Sequence, residues 1–335
     1  MKKLTVPLAR QATSQSLFFK GRPGDPRLGE WVTPLENVTG IAKDKIAAIV
    51  IYGCPDDKGV QLNRGRPGAK EGPDSIRKCL YKMTLPMDFA WEKKIRLYDL
   101  GNVVPAEDIL ETHRRAFAFS SAIATQNATL IALGGGHDFA APNFLGIMEA
   151  SREGRAKAKF GLINVDPHLD VRPLENDRPH SGTAFRQILE NKPSYLLGKN
   201  FVQFGARANR NAREHFEYCE KRGVKILTFE MLKRKPLGIV KQFATELSAL
   251  GKRCDTLGVT LDMDSCAEGE GVSAAPVLGF TAWELCEMAR LAGASQNVRY
   301  LELAEVAPSL DNADRTSRIS AEVVYAFLRG RAEQK

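Results

Sequence analysis

Eight short apolar runs, separated by helix-like stretches, constrain what this chain can fold into more than any other feature. They begin near Ile46, Ile95, Thr129, Phe160, Phe201, Val224, Thr256 and Val298. Runs such as Phe160-Gly161-Leu162-Ile163-Asn164-Val165 are short, rich in branched side chains and without polar alternation, the pattern of parallel strands buried on both faces. Between the runs lie amphipathic stretches, Glu107 to Thr125, Asn211 to Arg222, Leu237 to Leu250 and Thr281 to Leu291. Thr281-Ala282-Trp283-Glu284 has the form of a capping box, so a helix is expected to start there. Strands alternating with helices predict an α/β fold: a mostly parallel sheet with helices on both faces. No repeat, low-complexity tract or linker divides the chain, which predicts one domain over residues 41–335. Residues 1–40 read as an irregular arm, with turn chemistry at Gly21-Arg22-Pro23-Gly24-Asp25-Pro26. The arm is expected to cover a sheet edge or a neighbouring subunit.

Three of the runs end in residue types that can ligate metals. Thr129 to Leu133 leads into Gly134-Gly135-Gly136-His137. Phe160 to Val165 leads into Asp166-Pro167-His168-Leu169-Asp170, and Thr256 to Leu261 into Asp262-Met263-Asp264. Ligands of open α/β sheets bind outside the carboxyl ends of the strands. In an extended segment residues i, i+2 and i+4 share a side. Asp166, His168 and Asp170 are therefore expected to face one point, and Asp262 and Asp264 to face it too. Mixed carboxylate and imidazole donors suit a divalent first-row metal. Six such ligands are about enough for two ions when some carboxylates bridge, and two-metal sites carry out hydrolysis. Any one motif alone is as well explained as a turn or cap; three at strand ends are not. The triple glycine lacks the spacing and lysine of a phosphate loop, and is expected to let the backbone pass close to a metal centre.

Bulk composition narrows the class. Of 335 residues, 43% are apolar and 26% charged, the balance of a globular protein. Cys54, Cys79, Cys219, Cys254, Cys266 and Cys286 form no CxxC pair, which predicts reduced, mostly buried thiols in a cytoplasmic protein. Cys266, two residues past Asp264, is the one that could line the site. The opening Met1-Lys2-Lys3-Leu4-Thr5-Val6-Pro7 is too short in apolar residues for a signal peptide, and no run approaches a membrane span. The net charge of +8 is scattered and no nucleic-acid module is present. A mildly basic surface instead suits an anionic small-molecule substrate.

The ordered motifs resemble the arginase/agmatinase ureohydrolases. Members typically carry Gly-Gly-Gly-His, Asp-x-His-x-Asp and Asp-x-Asp in this order, then Glu-Val-x-Pro, matched here by Glu305-Val306-Ala307-Pro308. Gly65-Arg66-Pro67-Gly68-Ala69 and Glu71-Gly72-Pro73 resemble the family's early segment, so the likeness runs from about Gly53 to Ala326. It implies a three-layer α/β/α sandwich with an eight-stranded, mostly parallel sheet, an assembly of trimers or hexamers, and two Mn²⁺ per chain. By motif, His137, Asp166, Asp170 and Asp262 would hold one ion, and Asp166, His168, Asp262 and Asp264 the other, with Asp166 and Asp262 bridging. The metals would activate a water that attacks the carbon of a C=N group. Asp264 would carry a proton to the leaving nitrogen, and Glu305 would hold the cationic amidinium.

Within the family the chain looks most like the formimidoylglutamases of histidine breakdown, which produce glutamate and formamide. Arg172 lies two residues past Asp170, where arginases usually place Asn, and an Arg can read a substrate carboxylate through two parallel hydrogen bonds. Ser181-Gly182-Thr183-Ala184-Phe185 resembles the subgroup's Ser-Gly-Thr-Pro-Phe, which makes Ser181 a substrate-binding candidate. Gly271-Val272-Ser273-Ala274 resembles its Gly-Val-Ser-Ala. Pro167, Ala184 and Ala267-Glu268 depart from the family's residues without removing a metal ligand; His180 reads as a loop histidine. Two alternatives stay open: a ureohydrolase releasing urea from arginine, agmatine or a guanidino acid, and a metal-binding paralogue without turnover acting as a scaffold or sensor.

Overall fold

The fold is taken from a computed structural model, which describes residues 8–43, 45–85, 91–152 and 157–334. The opening residues 1–7, read above as no signal peptide, lie outside the described residues.

All eight expected runs are strands: β1 Ala47–Gly53, β2 Ile95–Val103, β3 Thr129–Leu133, β4 Phe160–Val165, β5 Phe201–Ala206, β6 Lys225–Thr228, β7 Thr256–Asp262 and β8 Val298–Ala304. They pair in parallel in the order β2-β1-β3-β8-β7-β4-β5-β6. Two two-residue strands extend the β2 edge, Arg10–Gln11 antiparallel and Thr33–Pro34 parallel. The stretch read as an irregular arm thus pairs with the exposed edge, which protects it from pairing with other chains.

Helices cover both faces. Gly72–Leu80, Ile239–Gly251, Ala282–Ala294 and Arg315–Ala332 pack on one face, over Ile51, Leu133, Val165, Leu261 and Leu303. Ile109–Thr125, Ala140–Arg152, Ala184–Glu190 and Arg213–Lys221 pack on the other, over Val50, Leu130, Leu162 and Phe201. Each central strand therefore buries both faces, which is why it reads as a continuous apolar run rather than an alternation. Thr281 caps its helix as expected: its side chain accepts from Glu284 N, and Glu284 reaches back to Thr281 N. The chain is an α/β/α sandwich, and among the described residues no helix is long and apolar enough to cross a membrane.

The strand order decides where the chemistry collects. The middle four strands are neighbours in the order β3, β8, β7, β4. Since all four run parallel, their carboxyl ends open on one side. The segments after β3, β4 and β7, and Glu305 after β8, emerge there together.

Candidate metal centre

Each ligand candidate is set by a tight turn at its strand end, not by the extended alternation inferred from spacing. Pro167 follows Asp166 and has no N–H with which to continue the ladder. His168 N donates to Asp166 Oδ1 at 2.6 Å, closing an Asx turn. Asp170 then takes a left-handed backbone, with φ 46°. After β7, Asp262 caps the one-turn 3₁₀ helix Met263–Ser265, and its Oδ1 accepts from Asp264 N at 2.9 Å. The turns converge the residues that the alternation argument had placed together, by a different route.

Gly134 and Gly135 have φ of 56° and 81°. A Cβ on the first would meet Pro73 at 2.9 Å, and on the second Cys54 O at 2.3 Å. These glycines admit close backbone packing against neighbouring segments; the close approach is not to the ligand cluster. They deliver His137 to the site at the start of a 3₁₀ turn.

The side chains form two groups. His137, Asp166, Asp170 and Asp262 make one; Asp166, His168 and Asp264 make the other. His137 Nδ1 lies 3.1 Å from Asp166 Oδ2, 3.1 Å from Asp170 Oδ2 and 3.2 Å from Asp262 Oδ2. His168 Nδ1 lies 3.4 Å from Asp166 Oδ1 and 3.0 Å from Asp264 Oδ2. Asp166 thus turns one oxygen to each group. Asp262 falls in the first group and not in the second. His137, Asp166, Asp262 and Asp264 are all buried, while His168 is a quarter exposed and opens toward solvent.

The electrostatics of this cluster are unbalanced. Four carboxylates meet two imidazoles, and the ion pairs of these carboxylates run to those imidazoles. Burial pushes Asp170 up to about 6, helped by Asp166. Burial also raises Asp262, with Asp264 and Asp166 adding to it, and it raises Asp264. Burial opposes charge on His137 and His168, yet the surrounding carboxylates hold both above the usual imidazole range. Asp166, between the two imidazoles, stays low despite its burial. Among the described residues, His137 Nε2 and Asp264 Oδ1 are buried without a hydrogen-bond partner, and His137 Nδ1, although close to three carboxylate oxygens, makes no aligned hydrogen bond to any of them. Orphaned donors among crowded carboxylates are what a cation-binding cage requires. Oxygen and imidazole donors without thiolate suit a hard or borderline divalent ion.

The cluster floors a cavity of about 370 Å³. Glu305 lines it, 5% exposed, with an unusual φ of 67° and Oε1 accepting from His137 N at 3.0 Å. Burial raises its pKa, with Asp262 contributing next. Arg172 and Ser181 line the wall, joined by Asn63: Arg172 donates to Asn63 Oδ1 at 2.8 Å, and Asn63 Nδ2 donates to Ser181 Oγ at 2.9 Å. Arg172 has no acidic partner among the described residues, so it is not the surface salt bridge that an exposed Arg often is. Arg66 ties the early segment to the Gly271-Val272-Ser273 loop through the carbonyls of Val272 and Ser273.

Cys266 and His180 do not line the cavity. Cys266 is buried, its thiol pushed up to about 11 by burial. His180 is buried with Nδ1 accepting from Gly182 N, as a loop-organising histidine does. All six cysteines are unbridged. Two supports were missed in the sequence. Asp138 pairs with His113 at 2.6 Å behind His137. Glu302, on β8, is held by Asn143, which also accepts from the Tyr52 hydroxyl. Asp138 could have been suspected from its place beside His137, and Glu302 from a charge inside an apolar run; His113 and Asn143 sit on helices and give no signal.

Comparison with known proteins agrees with this geometry. The model of the arginase family matches residues 47–329. The formimidoylglutamase of Staphylococcus carnosus is 31% identical over 297 residues, spanning 88% of this chain and 90% of that protein. That of Vibrio cholerae is 31% identical over 294 residues, 85% of each. A crystal structure of Trypanosoma cruzi formiminoglutamase with Mn²⁺ superposes with a TM-score of 0.80 at 29% identity, covering 93% of this chain and 100% of that one. Bacillus subtilis formimidoylglutamase gives 0.80 at 25% identity over 98% and 97%. The strand order, the ligand turns and a match across nearly the whole sheet lead to one conclusion: this chain belongs to the arginase family.

Proposed function

We propose that this protein is a binuclear Mn²⁺ hydrolase that cleaves N-formimidoyl-L-glutamate to L-glutamate and formamide, a step of histidine degradation. The observation that carries the reading is the pair of carboxylate–imidazole groups sharing Asp166, with Arg172, which has no acidic partner among the described residues, at the mouth of the same cavity. Relatives and solved structures bearing the formimidoylglutamase name support it.

His137, Asp166, Asp170 and Asp262 would hold one ion, and Asp166, His168 and Asp264 the other, with Asp166 shared between them. When bound, two such ions supply Lewis-acid charge and bring the pKa of water toward neutrality. The chain's own residues do the rest. Glu305 holds the formimidinium against the floor, its carboxylate facing the substrate's delocalised positive charge. Arg172 and Ser181 bind a substrate carboxylate and so orient the reacting carbon. Asp264, with Oδ1 unpartnered, receives the proton of the attacking water and passes it to the leaving nitrogen. Water adds across the C=N bond, the C–N bond to glutamate breaks, and the amine leaves neutral. We also read residues 41–335 as one catalytic domain behind the arm, in a cytoplasmic homo-oligomer of three or six chains; light scattering measures the assembly.

The deciding experiment loads the protein with Mn²⁺ and challenges it with formimidoylglutamate, arginine, agmatine and guanidino acids. Formamide and glutamate should appear from the first, and urea from none. Urea from a guanidino compound at higher kcat/KM would overturn the substrate assignment and leave the hydrolytic chemistry standing. Glu305→Gln should keep both metals and lose roughly a hundred-fold in kcat/KM, the scale of a lost charge-assisted contact; metal loss with full activity per ion would refute its role.

A further inference from the structure

The mouth of the cavity carries more positive charge than one carboxylate contact uses. Arg64, Arg66, Arg172 and Arg210 all line it. Arg66 is committed to the carbonyls of Val272 and Ser273, and Arg172 leans on Asn63. The side chains of Arg64 and Arg210 make no hydrogen bond or ion pair among the described residues. A guanidinium cannot shed its charge, so these cations repel one another unless an anion enters. The field reaches His215 on the same wall: burial lowers its pKa, and Arg172 and Arg186 lower it further.

Arg64 shows a second peculiarity. It directly follows the short helix Lys58–Leu62 and its cap Asn63, and its φ is 63°. Glycine is the usual occupant of a left-handed position after a helix, because a Cβ there crowds the backbone. Here the position accepts that strain and presents a guanidinium to the cavity, one residue from the Asn63 that orients both Arg172 and Ser181. Strained backbone of this sort is retained where surrounding structure over-determines it, commonly at ligand clamps.

We propose that Arg64, assisted by Arg210, forms a second carboxylate subsite, so that the cavity selects substrates with two carboxylates, one on Arg172 and one on Arg64. This rests on the formimidoylglutamate reading above. It implies that the Arg64 and Arg172 subsites are independent, each blind to the loss of the carboxylate held by the other.

The test uses Mn²⁺-loaded protein and three compounds: N-formimidoyl-L-glutamate, N-formimidoyl-L-glutamine, which has lost the side-chain carboxylate, and N-formimidoyl-4-aminobutyrate, which has lost the α-carboxylate. Arg64→Gly should fold at least as well as wild type, with an equal or higher Tm, since glycine suits the backbone. Its kcat/KM on formimidoylglutamate should fall roughly ten- to a hundred-fold, mostly through KM. It should leave one of the two mono-carboxylates unaffected, and Arg172→Ala should spare the other; Arg64→Lys should recover part of the loss. Equal losses on all three compounds, or no loss on any, overturn the proposal and identify Arg64 as a solvated surface arginine. If wild-type protein hydrolyses none of the three, the functional reading fails separately. The subsite is then read by calorimetric binding of L-glutamate, where at least a tenfold weakening in Arg64→Gly supports it and equal affinity, or no binding to either protein, overturns it.

Discussion

Two buried charged clusters sit in this sheet, and they are built on opposite rules. The first joins β2 to the helix Gly72–Leu80. Arg77, fully buried, donates to Asp99 at 3.0 and 3.2 Å, to Asn102 at 2.6 Å and to the carbonyl of Gly101 at 2.9 Å. Asp99 also accepts from Tyr81, Thr13 and Gly101 N. The fully buried charges balance, Arg77 against Asp99, with the half-exposed Asp74 adding a contact to Arg77 at 3.1 Å, and neither Arg77 nor Asp99 is left with a buried orphan atom. The second cluster, at the carboxyl ends of β3, β4 and β7, gathers four carboxylates around two imidazoles and leaves His137 and Asp264 atoms unpartnered. Burying a charge is costly unless it is paired. The first cluster answers that cost with the protein's own cation; the second leaves it for an external one. A closed, neutral network marks architecture, whereas an open, anionic one marks a cation site.

Substitutions at the shared carboxylate test this distinction with the largest effect. Asp166→Asn should strip metal from both groups and take turnover to background, whereas Asp262→Asn should deplete the first group more than the second. Metal analysis by atomic emission measures both; two full ions in Asp166→Asn would break the model of a shared ligand. In metal-stripped protein, Asp262→Asn should be neutral or stabilising, since it relieves repulsion between like charges.

The balanced cluster should behave in the opposite sense. Arg77→Met leaves Asp99 buried and unpaired, and should cost about 3–5 kcal/mol whether or not metal is present. Urea unfolding of loaded and stripped protein measures it. A loss below about 1 kcal/mol would mean that the network contributes less than its geometry suggests.

Arg172→Ala separates binding from the metal chemistry. A charge-assisted contact is worth about 1.5–3 kcal/mol, so selection for formimidoylglutamate should weaken by roughly ten- to a hundred-fold in kcat/KM with metal content unchanged. Agmatine, which lacks a carboxylate, should be unaffected or improved.

The smallest effect is on stability against pH. Asp170 is raised to about 6 by burial and by Asp166, above its unfolded value, so the folded metal-free protein holds this proton more tightly than the unfolded chain does. Its contribution is fully present below about pH 4 and is lost as pH rises through about 6. The raised Asp262 and His137 act in the same direction, and the lowered Asp166 in the other. Chelator-treated protein should therefore lose Tm relative to the Mn²⁺-loaded form as pH rises from 4 to 7. Conversely, metal affinity should fall toward acid, where protons compete for the same oxygens. A Tm difference that stays flat across that range would sever the link between the crowded carboxylates and the metal.

What the sequence determined by itself is local. Branched apolar runs can only be strands when both their faces are buried, so β1 to β8 are legible from Ala47, Ile95, Thr129 and the rest. Thr281 to Glu284 carry their own cap, and Asp166, His168, Asp170, Asp262 and Asp264 are ligand types in ligand order. Spacing argued that they converge, but by alternation along extended chain. The turns that converge them depend on Pro167 ending a strand, a left-handed Asp170 and a 3₁₀ turn after Asp262. Only the tertiary structure decided that β3, β8, β7 and β4 are neighbours. Parallel pairing between strands as distant in sequence as Leu130 and Tyr300, or Phe160 and Thr256, is chosen by how helices fill both faces, which no short segment encodes. The same holds for His113 behind Asp138 and for Asn63 linking Arg172 to Ser181. Each is an ordinary helix or loop residue until packing brings a distant partner to it.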